Sequence, residues 1–356
     1  MKDVIVVGGG AIGLFCAVRL RKGGARVWML DSGPEHPTYY APIASAAAAG
    51  MLAPVGDAAS PHEGVALESF DLWRAMREGA EWFDAVRFDG ALVVRSSADD
   101  AAAFALNAAR LGKKAQSLSA GEFRKRTGFR ARVNHALFVE AEGTLDPLRM
   151  LTGLAMQAHA LGVLRAYDTD VMELTPTSVT AHDGRVFEAD AVVLAPGAWA
   201  TDKIMSAAPG LRRLRAGKGM LAEVEIERPL GPNLRAGNFY LAQRREDVVL
   251  GATLEYDRFD RKVDRAKLAE LHRAAEQLLP GEIKLTERAW AGIRPMSPDG
   301  WPMIGPTGDG VLLAAGHSRD GWLMAPITAE IITAYVFGNE IQPGWAALSP
   351  ERFETP

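Results

Sequence analysis

Apolar and polar positions run through this chain in two rhythms, and its N-terminal segment shows both. Residues 4–7 are a short β-branched run that reads as a buried strand, and the helix predicted over 11–22 carries Ile12, Phe15 and Leu20 on one face. Gly23 and Gly24 stop that helix. A second strand over 26–30 completes a βαβ unit. Further helices are predicted near 65–82, 99–111, 147–161 and 265–278. Strand patterns fall at 91–95, 136–139, 220–226, 239–242, 248–251 and 311–314. A strand-rich middle beside a βαβ start predicts an α/β protein with two sheets, one parallel and one antiparallel.

The turn inside that first unit carries the first candidate chemistry. Gly8, Gly10 and Gly13 form G-x-G-x-x-G between strand and helix, the context in which the motif binds a dinucleotide. The first glycine allows the tight turn, the second lets backbone approach a pyrophosphate, and the third lets helix and strand pack closely. Ala11 and Ile12 then sit at a helix N-terminus, whose free N–H groups and positive dipole end suit phosphate. Asp31 ends the second strand with Ser32 beside it, placed to accept the ribose hydroxyls. A carboxylate there disfavours a 2'-phosphate, leaving FAD and NAD.

Composition narrows the class. With 356 residues the chain is long enough for two domains, and its 48% hydrophobic and 24% charged residues exclude disorder. The net charge of -4 provides no basic field for nucleic acid. One cysteine, Cys16, rules out an internal disulfide, and the scattered histidines build no metal site. No run of about 18 apolar residues could span a bilayer. Glycines interrupt the apolar N-terminus, and no small-residue cleavage pattern precedes Arg19 and Arg21, so a cytoplasmic enzyme acting on a small molecule is expected.

Four later segments choose the cofactor: SAAAAGMLAP from Ser45, AVVLAPGAWA from Ala191, AWAGIRPMSPDGWPMIG from Ala289 and GHSRDGWLMAP from Gly316. With these the chain resembles the D-amino-acid oxidase superfamily of FAD enzymes, most closely the glycine oxidases of thiamine biosynthesis, over nearly its whole length. The resemblance implies a Rossmann-like FAD-binding part interleaved with a substrate part on a mostly antiparallel sheet. Residues 1–85, 140–211 and 286–356 would form the first, and 86–139 and 212–285 the second. It places Ser45, Ala48, Ala49, Gly50 and Met51 against pyrophosphate and flavin. Ala195, Gly197 and Trp199 would lie near the dinucleotide, and Val171 by the adenine. The loop of Arg319, Asp320, Gly321 and Trp322 opens a helix ending at Gly338, with Pro326 in its first turn and Ile327, Ile331 and Tyr335 on its buried face. That helix start would face the pyrimidine end of a non-covalently held flavin.

For the substrate, a guanidinium offers a planar fork for a carboxylate. By resemblance Arg294 holds the α-carboxylate, Arg319 lies near the same pocket, and the Tyr240 hydroxyl reaches the carboxylate too. Asn238 and Arg235 stand where related glycine oxidases carry a histidine and a second tyrosine, so the pocket lining differs. The expected reaction is oxidation of the α-amine of a small amino acid (glycine, sarcosine or a D-amino acid) to an imine by hydride transfer to flavin. Hydrolysis to the keto acid follows, and O2 yields H2O2. The alternative is a dehydrogenase that passes electrons to a quinone or carrier. A homo-oligomer is compatible with either.

Overall fold

The structure is a computed structural model and describes residues 1–57, 59–76 and 84–353. Asp3–Val7 sits in the middle of a six-stranded sheet, pairing in parallel with Arg26–Leu30 on one side and Ala191–Leu194 on the other. Leu164–Ala166 extends one edge in parallel, and Leu312–Ala315 with antiparallel Met303–Pro306 extends the other. Val4, Ile5 and Val6 are fully buried because both faces are covered, so this segment reads as a continuous apolar run rather than an alternation. The helices Ala11–Lys22, Glu63–Ala75, Pro147–Ala160 and Gly321–Phe337 pack one face. A three-stranded meander, Val171–Leu174, Ser178–Ala181 and Val186–Glu188, covers the other through Val171, Leu174 and Val179.

The second large sheet has nine strands. It is antiparallel except where Asn233–Ala236 runs parallel to Ala91–Arg95. One face buries Leu92 and Leu234 against Phe123 of the helix Ala120–Thr127 and Leu271 and Ala275 of the helix Arg265–Leu278. The other face carries Leu221, Ala242, Val249 and Trp290, which pack on Ala47 and Ala49. The antiparallel sheet therefore meets the alanine-rich segment of the parallel half, and that junction builds the site. Ile283–Met296 pairs with Arg215–Ile226 along its length. The expected border at 286 thus falls inside one strand, and this sheet continues to Met296.

Two helices differ from expectation, and the alanine-rich segment bends. The helix expected over 65–82 is described as Glu63–Ala75, and its expected end lies outside the described residues. Met51–Leu52 is a strand after the short helix Ala44–Ala47, so the SAAAAGMLAP segment bends rather than continuing. The helix Gly321–Phe337 is buried almost all round, with Tyr335 only half-buried, because it lies between the sheet and two other helices. Pro326 is its sixth residue, beyond the first turn.

Candidate active site

Close packing in the glycine turn explains its residues. Gly8 has φ +112°, and a Cβ there would lie 2.2 Å from the Ala195 carbonyl oxygen. A Cβ on Gly13 would lie 1.8 Å from the Gly8 carbonyl oxygen. Only glycine lets this helix start so near its strand. Gly10 is the N-cap and supplies no side-chain cap. Ser45 reaches over from the alanine-rich segment instead, its Oγ accepting from the Ala11 N–H at 3.0 Å. The Asp31 carboxylate accepts from the backbone N–H groups of Gly9 and, at 2.6 Å, of Gly33. Burial pushes its pKa up while those two donors pull it down. A carboxylate takes about four donors, so it keeps room for hydroxyl groups.

Next along the cavity lies the segment 47–51, held by two side chains from the antiparallel sheet. Trp290 Nε1 donates to the Ala47 carbonyl at 2.9 Å. Arg244, almost fully buried, donates to the carbonyls of Ala48 at 2.7 Å and Ala49 at 3.2 Å and to the Tyr39 hydroxyl at 2.9 Å. Tyr39 in turn stacks on Trp290 with centroids 4.8 Å apart. Sequence reasoning missed Arg244. In the stretch QRRED it looks like a surface charge, and only the buried strand end at Gln243 hints otherwise.

Arg294 and Tyr240 meet at the far end. The Arg294 guanidinium lies flat over Gly219 of the neighbouring strand, where a Cβ would come within 2.2 Å of its Nη1. It donates to the Thr253 carbonyl at 3.4 Å and sits beside the Tyr240 hydroxyl. Tyr240 lies over Gly251 in the same way, with its hydroxyl 2.3 Å from a Cβ position there. Burial raises the Tyr240 pKa against the pull of Arg294 and Arg244, so the phenol stays a neutral donor. Among the described residues, no carboxylate lies within ion-pair distance of Arg294.

Arg319 lines the same cavity and is exposed. Arg235 is directly opposite Tyr240 in the sheet and is half-buried. Its guanidinium binds the buried Glu142, and also Asp57 at 2.6 Å and the Val55 carbonyl at 3.2 Å. Burial pushes the Asp57 carboxyl up, but Arg235, Arg95 and Arg319 outweigh it and hold it below its usual value. The wall beside Tyr240 is thus an ion-pair lattice, which Asn238 and Arg235 alone did not reveal. His317 is buried, with Nε2 2.9 Å from the Thr328 hydroxyl, and burial pushes its pKa down to about 3. It is neutral and lines the cavity.

The glycine turn, the segment 47–51 and the Arg294–Tyr240 pair line one cavity of 1690 Å³. That exceeds a drug-sized pocket of about 300–1,000 Å³, so a long cofactor and a substrate both fit. Gly8, Gly10, Ala11, Ile12, Asp31 and Ser32 line one part of it, with Val171, Ala195, Gly197 and Trp199. Ser45, Ala48, Ala49, Gly50 and Met51 line its course, and Asp320, Gly321 and Trp322 join Tyr240, Arg294 and Arg319. Gly13 does not line it; its position is taken up by the close helix–strand packing on Gly8 expected of the third glycine. Asp320 gives no side-chain cap to the helix it starts, so a second helix N-terminus opens on the cavity. Two helix N-termini opening on one cavity fit a dinucleotide whose pyrophosphate meets one of them.

Comparison with known proteins agrees with this geometry. The family description "FAD dependent oxidoreductase" (DAO) matches residues 3–335. A glycine oxidase of Bacillus licheniformis is 28% identical over 379 residues, covering 99% of this chain and 98% of that protein. A glycine oxidase of Geobacillus kaustophilus is 30% identical over 363 residues, covering 95% and 93%. The crystal structure of glycine oxidase from Geobacillus kaustophilus superposes with a TM-score of 0.86 at 27% identity, covering 99% of each chain.

Proposed function

This chain belongs to the DAO family of FAD-dependent oxidoreductases, and on that footing we propose that it oxidises the α-amine of a small amino acid to an imine, with O2 as the terminal acceptor. The observation that carries the reading is Arg294: a guanidinium without a carboxylate partner among the described residues, seated on Gly219 and flanked by Tyr240, in the cavity that fits FAD. A fork with no internal anion suits a substrate carboxylate, and two charged or polar donors on it fix the substrate's direction. Glycine, sarcosine and D-amino acids all present that carboxylate next to the amine.

When bound, FAD supplies the two-electron acceptor and passes the electrons on to O2 as H2O2. The chain's own part is placement. Arg294 and Tyr240 grip the carboxylate so that the substrate α-carbon is held at a fixed angle, which converts a bimolecular encounter into an oriented one. The amine enters neutral, so no protein base is required, and His317 at the cavity wall has its Nε2 engaged by the Thr328 hydroxyl and its basicity lowered by burial. The imine released hydrolyses in water to the keto acid and ammonia or an amine.

Residues 1–85, 140–211 and the part after Met296 would hold FAD, and 86–139 with 212–296 the substrate. FAD is held without a covalent link: Cys16 lies buried in the Ala11–Lys22 helix, its thiol pushed up to about 12 by burial. Acid precipitation should leave the protein colourless; flavin remaining on the pellet would contradict this. Peroxide formed in step with substrate loss supports O2 as acceptor. Substrate loss that needs an added quinone or carrier, with no peroxide, would point to a dehydrogenase instead.

A further inference from the structure

Pro326 creates a problem that the Glu63–Ala75 helix solves. As sixth residue of the Gly321–Phe337 helix, Pro326 has no N–H to offer the carbonyl four residues earlier, that of Trp322. Trp73 supplies the missing donor: its Nε1 reaches the Trp322 carbonyl at 2.9 Å. One step along, Ser69 is inserted into the helical ladder. Its Oγ donates to the Leu323 carbonyl at 2.6 Å and accepts from the Ile327 N–H at 3.3 Å. Ser69 and Trp73 are fully buried, so no water could serve instead.

The chain of bonds then continues to the other helix start. Trp322 Nε1 donates to the Ser45 carbonyl at 3.0 Å, and Ser45 Oγ accepts from the Ala11 N–H at 3.0 Å. One connected set of hydrogen bonds, buried at Ser69 and Trp73 and partly buried at Ser45, therefore ties the first turn of the Gly321–Phe337 helix to the first turn of the Ala11–Lys22 helix. Both turns face the cavity. A helix opened by proline is free to change direction at that point unless its loose groups are held. Here they are held from outside the helix.

We infer that Ser69 and Trp73 are positioning residues: they aim the opened first turn of the Gly321–Phe337 helix at the cofactor, and through Trp322 and Ser45 they fix its distance from the pyrophosphate-facing helix. Neither touches the cavity. Their effect reaches the flavin as the field of a correctly aimed helix N-terminus, which favours negative charge on the ring. This inference rests on the FAD reading but not on the amine substrate.

Sulfite tests it, because its addition to an oxidised flavin puts negative charge on the ring and bleaches the yellow band without any turnover. In the flavin-loaded protein, Ser69→Ala and Trp73→Phe should each raise the sulfite dissociation constant by about threefold or more. Phe70→Leu, in the same helix and also buried, should lower the melting temperature and leave the sulfite constant within about twofold. An unchanged sulfite constant in Ser69→Ala and Trp73→Phe, or an equal rise in all three variants, would overturn the inference and leave these residues a purely structural role. Purification without flavin would strike the FAD reading itself, a separate result.

Discussion

At the scale of single residues, the clearest lesson is which charges are already satisfied. Arg235 and Arg95 are balanced by Asp57 and Glu142, Arg244 is spent on backbone carbonyls, and Arg294 has a carbonyl and a phenol but no anion among the described residues. Removing its fork should therefore cost substrate rather than fold. For Arg294→Ala the expected result is a rise in apparent substrate constant of about a hundredfold with FAD retained, consistent with losing charge-assisted hydrogen bonds. Steady-state kinetics checks it; an unchanged constant would remove Arg294 from its role. His317 gives a second prediction at this scale. Its folded pKa of about 3 lies below the ordinary value of 6.5, so the stability it contributes is fully present above 6.5 and is lost as pH falls. Between pH 7 and 5 the wild type should lose about 2 kcal/mol more than His317→Gln. Urea midpoints of the holoenzyme at the two pH values measure the difference, and parallel losses would show that His317 does not titrate this way.

Elements with a strong local signal were legible in the sequence, and those whose identity comes from tertiary contact were not. The helix Ala11–Lys22 and the strand Arg26–Leu30 fall where the periodicity and the Gly23-Gly24 stop put them, and Arg265–Leu278 coincides with its predicted span. By contrast, Ala120–Thr127 is not legible although Ser119 and Glu122 make a capping box, because its short polar pattern carries no apolar stripe. The meander over Val171–Glu188 has short strands that alternate only once or twice, and it exists because it covers the parallel sheet. Pro326 was placed in a first turn because the sequence does not reveal that Trp73 and Ser69 can carry a helix past it. Among these elements the glycine turn makes the sharpest prediction. Gly13→Ala sets a methyl against the Gly8 carbonyl with no flexible neighbour to give way. It should destabilise the protein by about 2 kcal/mol or more and lower flavin occupancy, since overpacking at backbone contacts moves the backbone. Flavin absorbance per chain after dialysis checks this, and full occupancy with wild-type stability would refute it.

Over the whole molecule, motifs hundreds of residues apart converge on one cavity. Gly8 and Gly321 come from opposite ends of the chain, while Tyr240 and Arg294 come from a sheet inserted between the cofactor segments. The sequence showed the recurring glycines and the AGIRP and GHSRDG segments; it did not show the seats at Gly219 and Gly251 on which the substrate-facing side chains rest, because a register across strands cannot be read along one of them. The central claim is that this cavity holds FAD and orients an amino acid for oxidation. It is tested most directly by mixing the yellow holoenzyme anaerobically with glycine, sarcosine, proline and a set of D-amino acids, beside Arg294→Ala under the same conditions. At least one of these amino acids should bleach the flavin band, which admitted oxygen restores, and Arg294→Ala should need far more of it. A flavin that stays yellow with every amino acid, or bleaches identically in the variant, would contradict the account.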